Sequence, residues 1–171
     1  MKYAITTSLC LSIALFGAAL SLLGLTLRTA PSLQTHNTAI RSTEGQTPAY
    51  HSHPPEMLLP QTLDASSFEG NHKAYVAYTL TARVREVLYQ EPCLCHCNRF
   101  AGHESLFDCY TSKHGATCYT CQAEAVFCYE QTRKGWGASR IRKAIFAGTW
   151  KLPDFERHME TLYEQFHSNK E

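Results

Sequence analysis

Residues 93–128 read CLCHCNRFAGHESLFDCYTSKHGATCYTCQAEAVFC, and this stretch carries seven of the chain's eight cysteines. Its first part, Pro92-Cys93-Leu94-Cys95-His96-Cys97, follows a proline, which pushes the preceding residue out of the helical region. In an extended chain side chains alternate, so the spacing predicts Cys93, Cys95 and Cys97 on one side and Leu94 and His96 on the other. From Asn98 to Lys113 only Gly102, Asp108 and isolated apolar residues such as Leu106 and Phe107 stand out, which predicts a loop or short helical turns returning Cys109 to the three sulfurs. Gly115 breaks the chain and Thr117 can cap a helix. The segment CYTCQAEAVFCYEQTRK then has helical spacing up to Gly135, with Cys118, Cys121, Ala125 and Cys128 in one narrow arc.

Such a cysteine density means bound metal, disulfides or thiol redox chemistry. Six thiols (Cys93, Cys95, Cys97, Cys109, Cys118 and Cys121), with His103 and His114 as ligands or as groups that orient the thiolates, make a soft-metal donor set. A CxCxC chain is too short for all three sulfurs to close comfortably on one tetrahedral ion, but they can bridge neighbouring ions. Thiolate-rich sites outside the cytoplasm suit Cu(I). Zn(II) is the close competitor, since six Cys and two His could make two closed tetrahedral sites. A closed site stores or structures a metal rather than performing catalysis.

Two alternatives stay open. Three disulfides among the six cysteines would staple a small extracytoplasmic domain, although a bond inside CxC is strained and every partner must then be distant. Thiol–disulfide exchange would use Cys118-Tyr119-Thr120-Cys121 at a helix start, where the dipole favours the attacking thiolate and Cys121 resolves, but no thioredoxin-like βαβ pattern surrounds it. The absence of CxxCH argues against haem, and no Ser, His and acid grouping suggests a hydrolase.

Upstream, Met1 and Lys2 precede an apolar run from Tyr3 to Leu27, closed by Arg28. The run is longer than a signal-peptide core, so residues 1–28 are expected to form an uncleaved membrane anchor, a cleaved and secreted form being the alternative. Cys10 lies inside it with too few residues before it for a lipoprotein signal. The charge pattern orients the remainder outside the cytoplasm. Residues 29–66, with Pro31, Pro48, Pro54, Pro55 and Pro60 among polar residues, read as a flexible linker in which His51 and His53 are secondary metal-ligand candidates. Residues 67–171 are expected to form one small cysteine-rich helical domain, mainly α, of about four helices plus loops.

In that domain Asn71 caps an amphipathic helix running to Gln90, with Val76, Leu80, Val84, Val87 and Leu88 at helical spacing. Ser139 is expected to cap a short helix burying Ile141 and Ile145 and leaving Arg140 and Arg142 in solvent. Pro153-Asp154 starts a last helix with Phe155, Met159, Leu162, Tyr163 and Phe166 on one face and His158 and His167 solvated. The net charge of +1 supplies no field for nucleic acid, so none is expected as a partner. The expected partners are the membrane, metal ions, and a metal-delivery or redox protein.

The cluster resembles a family of bacterial extracytoplasmic proteins with a Pro-Cys-Tyr-Cys-Gly-Cys motif, the PCYCGC or CYCXC family, over roughly Leu58 to Trp150. The shared features are Pro92-Cys93-x-Cys95-x-Cys97, Gly102-His103, a Leu-x-x-Cys ending at Cys109, His114 before Cys118-x-x-Cys121, Glu124-Ala125, and Ile141-Arg142. Here Leu94 stands where that motif has Tyr and His96 where it has Gly, and Cys128 is additional to the six shared cysteines. The resemblance implies a small membrane-associated or secreted helical domain with no established activity. Selenocysteine-containing members hint at redox or soft-metal chemistry. The location expected from the anchor and the resemblance is extracytoplasmic, on the periplasmic side of a bacterial inner membrane, with a cleaved and secreted form as the alternative.

Overall fold

The computed structural model describes residues 47–168, all within the unit spanning Thr35–Glu171. The expected anchor and the first part of the expected linker lie outside the described residues. Five α-helices carry the fold and no strand occurs among the described residues: α1 is His72–Thr81, α2 is Arg85–Tyr89, α3 is Tyr119–Arg133, α4 is Ala138–Phe146 and α5 is Phe155–Ser168. No helix among them is long and apolar enough to cross a membrane.

Helix α1 starts where the sequence puts it, with the Asn71 side chain accepting a hydrogen bond from the Ala74 amide at 3.1 Å. Its residues Ala74–Tyr78, Leu80 and Thr81 are all buried, so it is a central helix wrapped on every side rather than an amphipathic surface helix. It packs against α3, α5 and a 3-10 turn at Ala65–Phe68.

The single helix expected from Asn71 to Gln90 is instead two. The break falls at Ala82–Val84, where Arg83 and Val84 amides bond back three residues to Leu80 and Thr81. It lies where an all-round apolar pattern gives way to Arg83, Arg85 and Glu86, which cannot follow α1 into the interior. Arg85 pins the new direction by donating to the Leu59 and Pro60 carbonyls at 3.1 and 2.9 Å.

Helix α3 begins one residue later than Thr117 would cap it: Cys118 is the N-cap, its Sγ accepting from the Cys121 amide. The helix ends before Gly135, whose φ of 81° places it in the left-handed region that ends helices. Gly137, not Ser139, precedes α4, and Ile141 and Ile145 are buried as the spacing predicts. Phe155 and Met159 of α5 are buried, with Leu162, Tyr163 and Phe166 packed at the core's edge.

Several residues expected to be solvated have partners. His158 meets Glu130 at 2.7 Å, His167 Nδ1 lies 3.0 Å from the Tyr163 carbonyl, and Arg142 donates to the Gln90 carbonyl. Residues 47–66 also touch the helical body: the Leu63 amide donates to the Tyr110 carbonyl at 2.9 Å, and the His51 ring stacks on Tyr89 at 3.8 Å.

Candidate metal centre

Between α2 and α3 the chain runs through three 3-10 turns, Cys97–Arg99, Phe107–Tyr110 and Lys113–Ala116, each too short to bury a face of its own. Polar tethers to the helices shape the segment instead. The Leu94 amide donates to both carboxylate oxygens of Glu124, at 3.2 and 3.3 Å, fastening the CxCxC loop to the middle of α3. The buried Tyr110 hydroxyl donates to the Cys121 carbonyl at 2.8 Å, and Gln122 Nε2 donates to the Gly115 and Ala116 carbonyls. Tyr78 of α1 donates to the Ser112 carbonyl. Gly115 permits the close approach on which this depends, because a Cβ there would stand 2.8 Å from the Tyr110 ring and 3.1 Å from the Cys109 carbonyl oxygen.

The CxCxC strip does not alternate as an extended chain. The His96 amide bonds back to the Cys93 carbonyl and His96 takes φ 60°, so the chain turns before Cys97. The sulfurs converge nonetheless: Cys93, Cys95 and Cys97 lie within 4.8 Å of one another. Cys93 Sγ stands 3.2 Å from Cys95 Sγ and 3.3 Å from Cys121 Sγ, Cys95 Sγ is 3.8 Å from Cys121 Sγ, and Cys97 Sγ is 3.5 Å from Cys109 Sγ. These spacings exceed a disulfide bond of about 2.0 Å. They approach the separation of about 3.8 Å that a tetrahedral ion with metal–sulfur bonds of about 2.3 Å imposes on two of its sulfurs. All seven described cysteines are free thiols.

Two four-donor groups emerge, each with its ligand atoms within 4.8 Å of one another: Cys95, His114, Cys118 and Cys121, and Cys97, His103, Cys109 and His114. Cys93 connects them, because it also groups with Cys109 and Cys121. The eight donors named from the sequence are therefore brought into one connected cluster. His51, His53, His96 and Cys128 enter none of these groups. Cys128 is on the expected arc of α3 but fully buried away from the cluster, and burial first, then the charges of Glu91 and Glu124, hold its thiol well above the usual range.

The cluster divides its charge among its thiols. Hydrogen bonding from Cys118, then from Cys121 and Cys93, pulls Cys95 down to about 2, and Cys109 with Cys93 draws Cys97 down as well. Cys121 is raised, chiefly by its bonds to Cys109 and Cys118. Cys109 lowers the Cys93 thiol, but Cys121 and Cys95 outweigh it and leave Cys93 raised. A few thiolates thus accept from neighbouring protonated thiols, and a soft cation would replace those protons. Burial, with the nearby His114, lowers His103, whose Nδ1 lies 3.3 Å from Cys109 Sγ. Burial lowers His114 too, but its contact with Cys95 and the Cys97 thiolate raise it overall.

Cys93, Cys97, Cys109 and Cys121 are buried, whereas Cys95, Cys118, His103 and His114 are half-buried at the cluster's edge. Phe100, 69% exposed, stands beside the His114 ring at 5.7 Å between centroids.

Sequence reasoning gave no role to Glu124, Tyr110 and Tyr78, which place the ligand-bearing turns. An acid between the alanines of a buried helix was the available signal for Glu124; nothing local marked the two tyrosines.

Fold and cluster together define a small, mainly helical, cysteine-rich domain with a thiol–imidazole cluster suited to a metal ion. A family model described as a protein of unknown function with a PCYCGC motif matches residues 54–150, and the chain belongs to that family. No curated protein and no solved structure matches it.

Proposed function

We propose that this chain is an extracytoplasmic protein that binds soft metal, Cu(I) in preference to Zn(II), for storage or delivery. The observation that carries the reading is the connected set of six thiols and two imidazoles, in which Cys93 joins two four-donor groups that also share His114. Shared and closely spaced sulfurs suit a polynuclear thiolate cluster, for which Cu(I) is the natural occupant outside the cytoplasm. Zn(II) would require the donors to separate into two closed tetrahedral sets. When bound, the metal supplies crosslinks between the CxCxC loop, the Cys109 turn and the start of α3. The protein's own contribution is to hold those donors together through Glu124, Tyr110 and Gln122. The apolar run Tyr3–Leu27 is the basis for placing the domain on the periplasmic side of an inner membrane, tethered by its N-terminus.

Anaerobic titration of the reduced full chain with Cu(I) and with Zn(II) tests this. The expected result is saturable uptake of more than one Cu(I) per chain, with thiolate-to-metal absorption. The absence of stoichiometric uptake of either ion contradicts it, and preferential retention of zinc overturns the choice of copper.

A second reading, thiol–disulfide exchange, is favoured by one feature: half-buried Cys118 caps α3 beside buried Cys121. The Cys118 thiolate would attack a substrate disulfide, and Cys121 would then release the substrate as its dithiol while the chain keeps the Cys118–Cys121 disulfide. This reading requires Cys118→Ser to abolish exchange while leaving metal content intact.

A further inference from the structure

Away from the cysteines, α1, α3 and α5 enclose an open groove of about 400 Å³ lined by Tyr75, Arg83, Tyr129, Arg133, Leu162 and Phe166 among others. Arg83 Nη1 and Arg133 Nη1 both donate to the Tyr129 hydroxyl oxygen, at 3.4 and 3.3 Å. Neither guanidinium has a carboxylate partner among the described residues. Two like charges therefore meet at one neutral oxygen, a weaker acceptor for such forks than a carboxylate. Elsewhere on α1 and α5, Lys73 pairs with Glu156 and His72 with Glu160. Both arginines are held over rings, Arg83 above Phe166 and Arg133 above Tyr129, which limits the entropy lost on meeting a ligand.

We propose that this groove binds a monocarboxylate carried on an apolar body. Its carboxylate would bridge Arg83 and Arg133 in place of the Tyr129 oxygen, and its apolar part would lie against Leu162 and Phe166. One negative charge is the better fit than two. Arg133 closes α3, Arg83 lies just past the end of α1, and Phe166 lies in the last turn of α5. Three helix C-termini thus bring partial negative charge to the groove, offsetting part of the arginines' field. Apolar walls with a few convergent polar groups are the usual make-up of a small-ligand site.

The test is a titration of the reduced full chain with 3-phenylpropionate and, separately, inorganic phosphate, followed by NMR of arginine side-chain N–H and tyrosine ring signals. Saturable shifts at Arg83, Arg133 and Tyr129 with 3-phenylpropionate, and markedly weaker ones with phosphate, are expected. Arg83→Gln with Arg133→Gln is expected to weaken binding at least about tenfold, while Tyr129→Phe, which only frees the arginines, retains it. Both arginines are exposed, so the double variant is expected to keep the native spectrum elsewhere. No saturable shift, equal binding of phosphate, or undiminished binding by the double variant would overturn the proposal.

Discussion

The helical frame and the turn-rich segment 92–117 are built by different physics within one body. The frame, α1 with α3 and α5, is closed by buried apolar side chains such as Val76, Leu80, Val126 and Met159. The segment contributes Leu106, Phe107 and Tyr110 to that core, but its path is set by a few hydrogen bonds to Glu124, Tyr78 and Gln122 and by the thiols it collects. The difference teaches that the frame supplies positions while the segment supplies ligands, so the two should respond separately to mutation and to metal.

The sharpest way to break the comparison is through the frame. Leu80 is fully buried on α1, and Leu80→Ala is expected to cost about 2–5 kcal/mol in urea unfolding of the metal-free chain. A cost under about 1 kcal/mol would mean α1 is not the central helix. The next effect belongs to the segment. Metal loading is expected to slow amide hydrogen exchange over residues 93–117 about a hundredfold, with much smaller changes across α1. Uniform slowing would erase the distinction.

A third prediction concerns Glu91, whose two carboxyl oxygens are buried without a hydrogen-bond partner. Burial pushes its carboxyl up to about 9, against the lowering influence of Arg142. A raised folded value means the stability linked to its protonation is fully present below the unfolded value of 4.5 and is lost as pH rises through about 9. Glu91→Gln should remove that loss, so the variant gains on the parent progressively between pH 5 and 9, by at most about 5 kcal/mol. A parent that grows steadily more stable than the variant over that range contradicts the burial argument. The smallest effect expected is at Cys128: Cys128→Ala should cost about 1 kcal/mol and leave metal stoichiometry unchanged, as read by metal analysis.

Much of the frame was legible because its signals are local. Asn71 caps α1, Gly135 follows α3, Ile141 and Ile145 face inward, and the stripe from Phe155 to Phe166 packs as its spacing requires. The break at Ala82–Val84 was not legible, because Leu80, Val84 and Leu88 keep helical spacing across it; the charges at Arg83, Arg85 and Glu86 decide the matter only once α1 is known to be surrounded. In the cluster, residue type and spacing pointed to eight donors, and the fold brings them together. The route differs: a left-handed turn at His96, not strict alternation, gathers the three sulfurs. Cys121 and Cys128 show the limit of face arguments. They share one arc of α3, yet Cys121 meets sulfur while Cys128 enters none of the donor groups and lies in the buried core, because an arc fixes direction and not what lies opposite.

The most direct test of the cluster's role is native mass spectrometry of the full chain, isolated anaerobically without reductant or chelator. The account predicts a mass that includes bound soft metal, with every cysteine from Cys93 to Cys121 recovered as a reduced thiol after the metal is stripped. A metal-free chain, lighter by the hydrogens of three disulfides among those six cysteines, would contradict it.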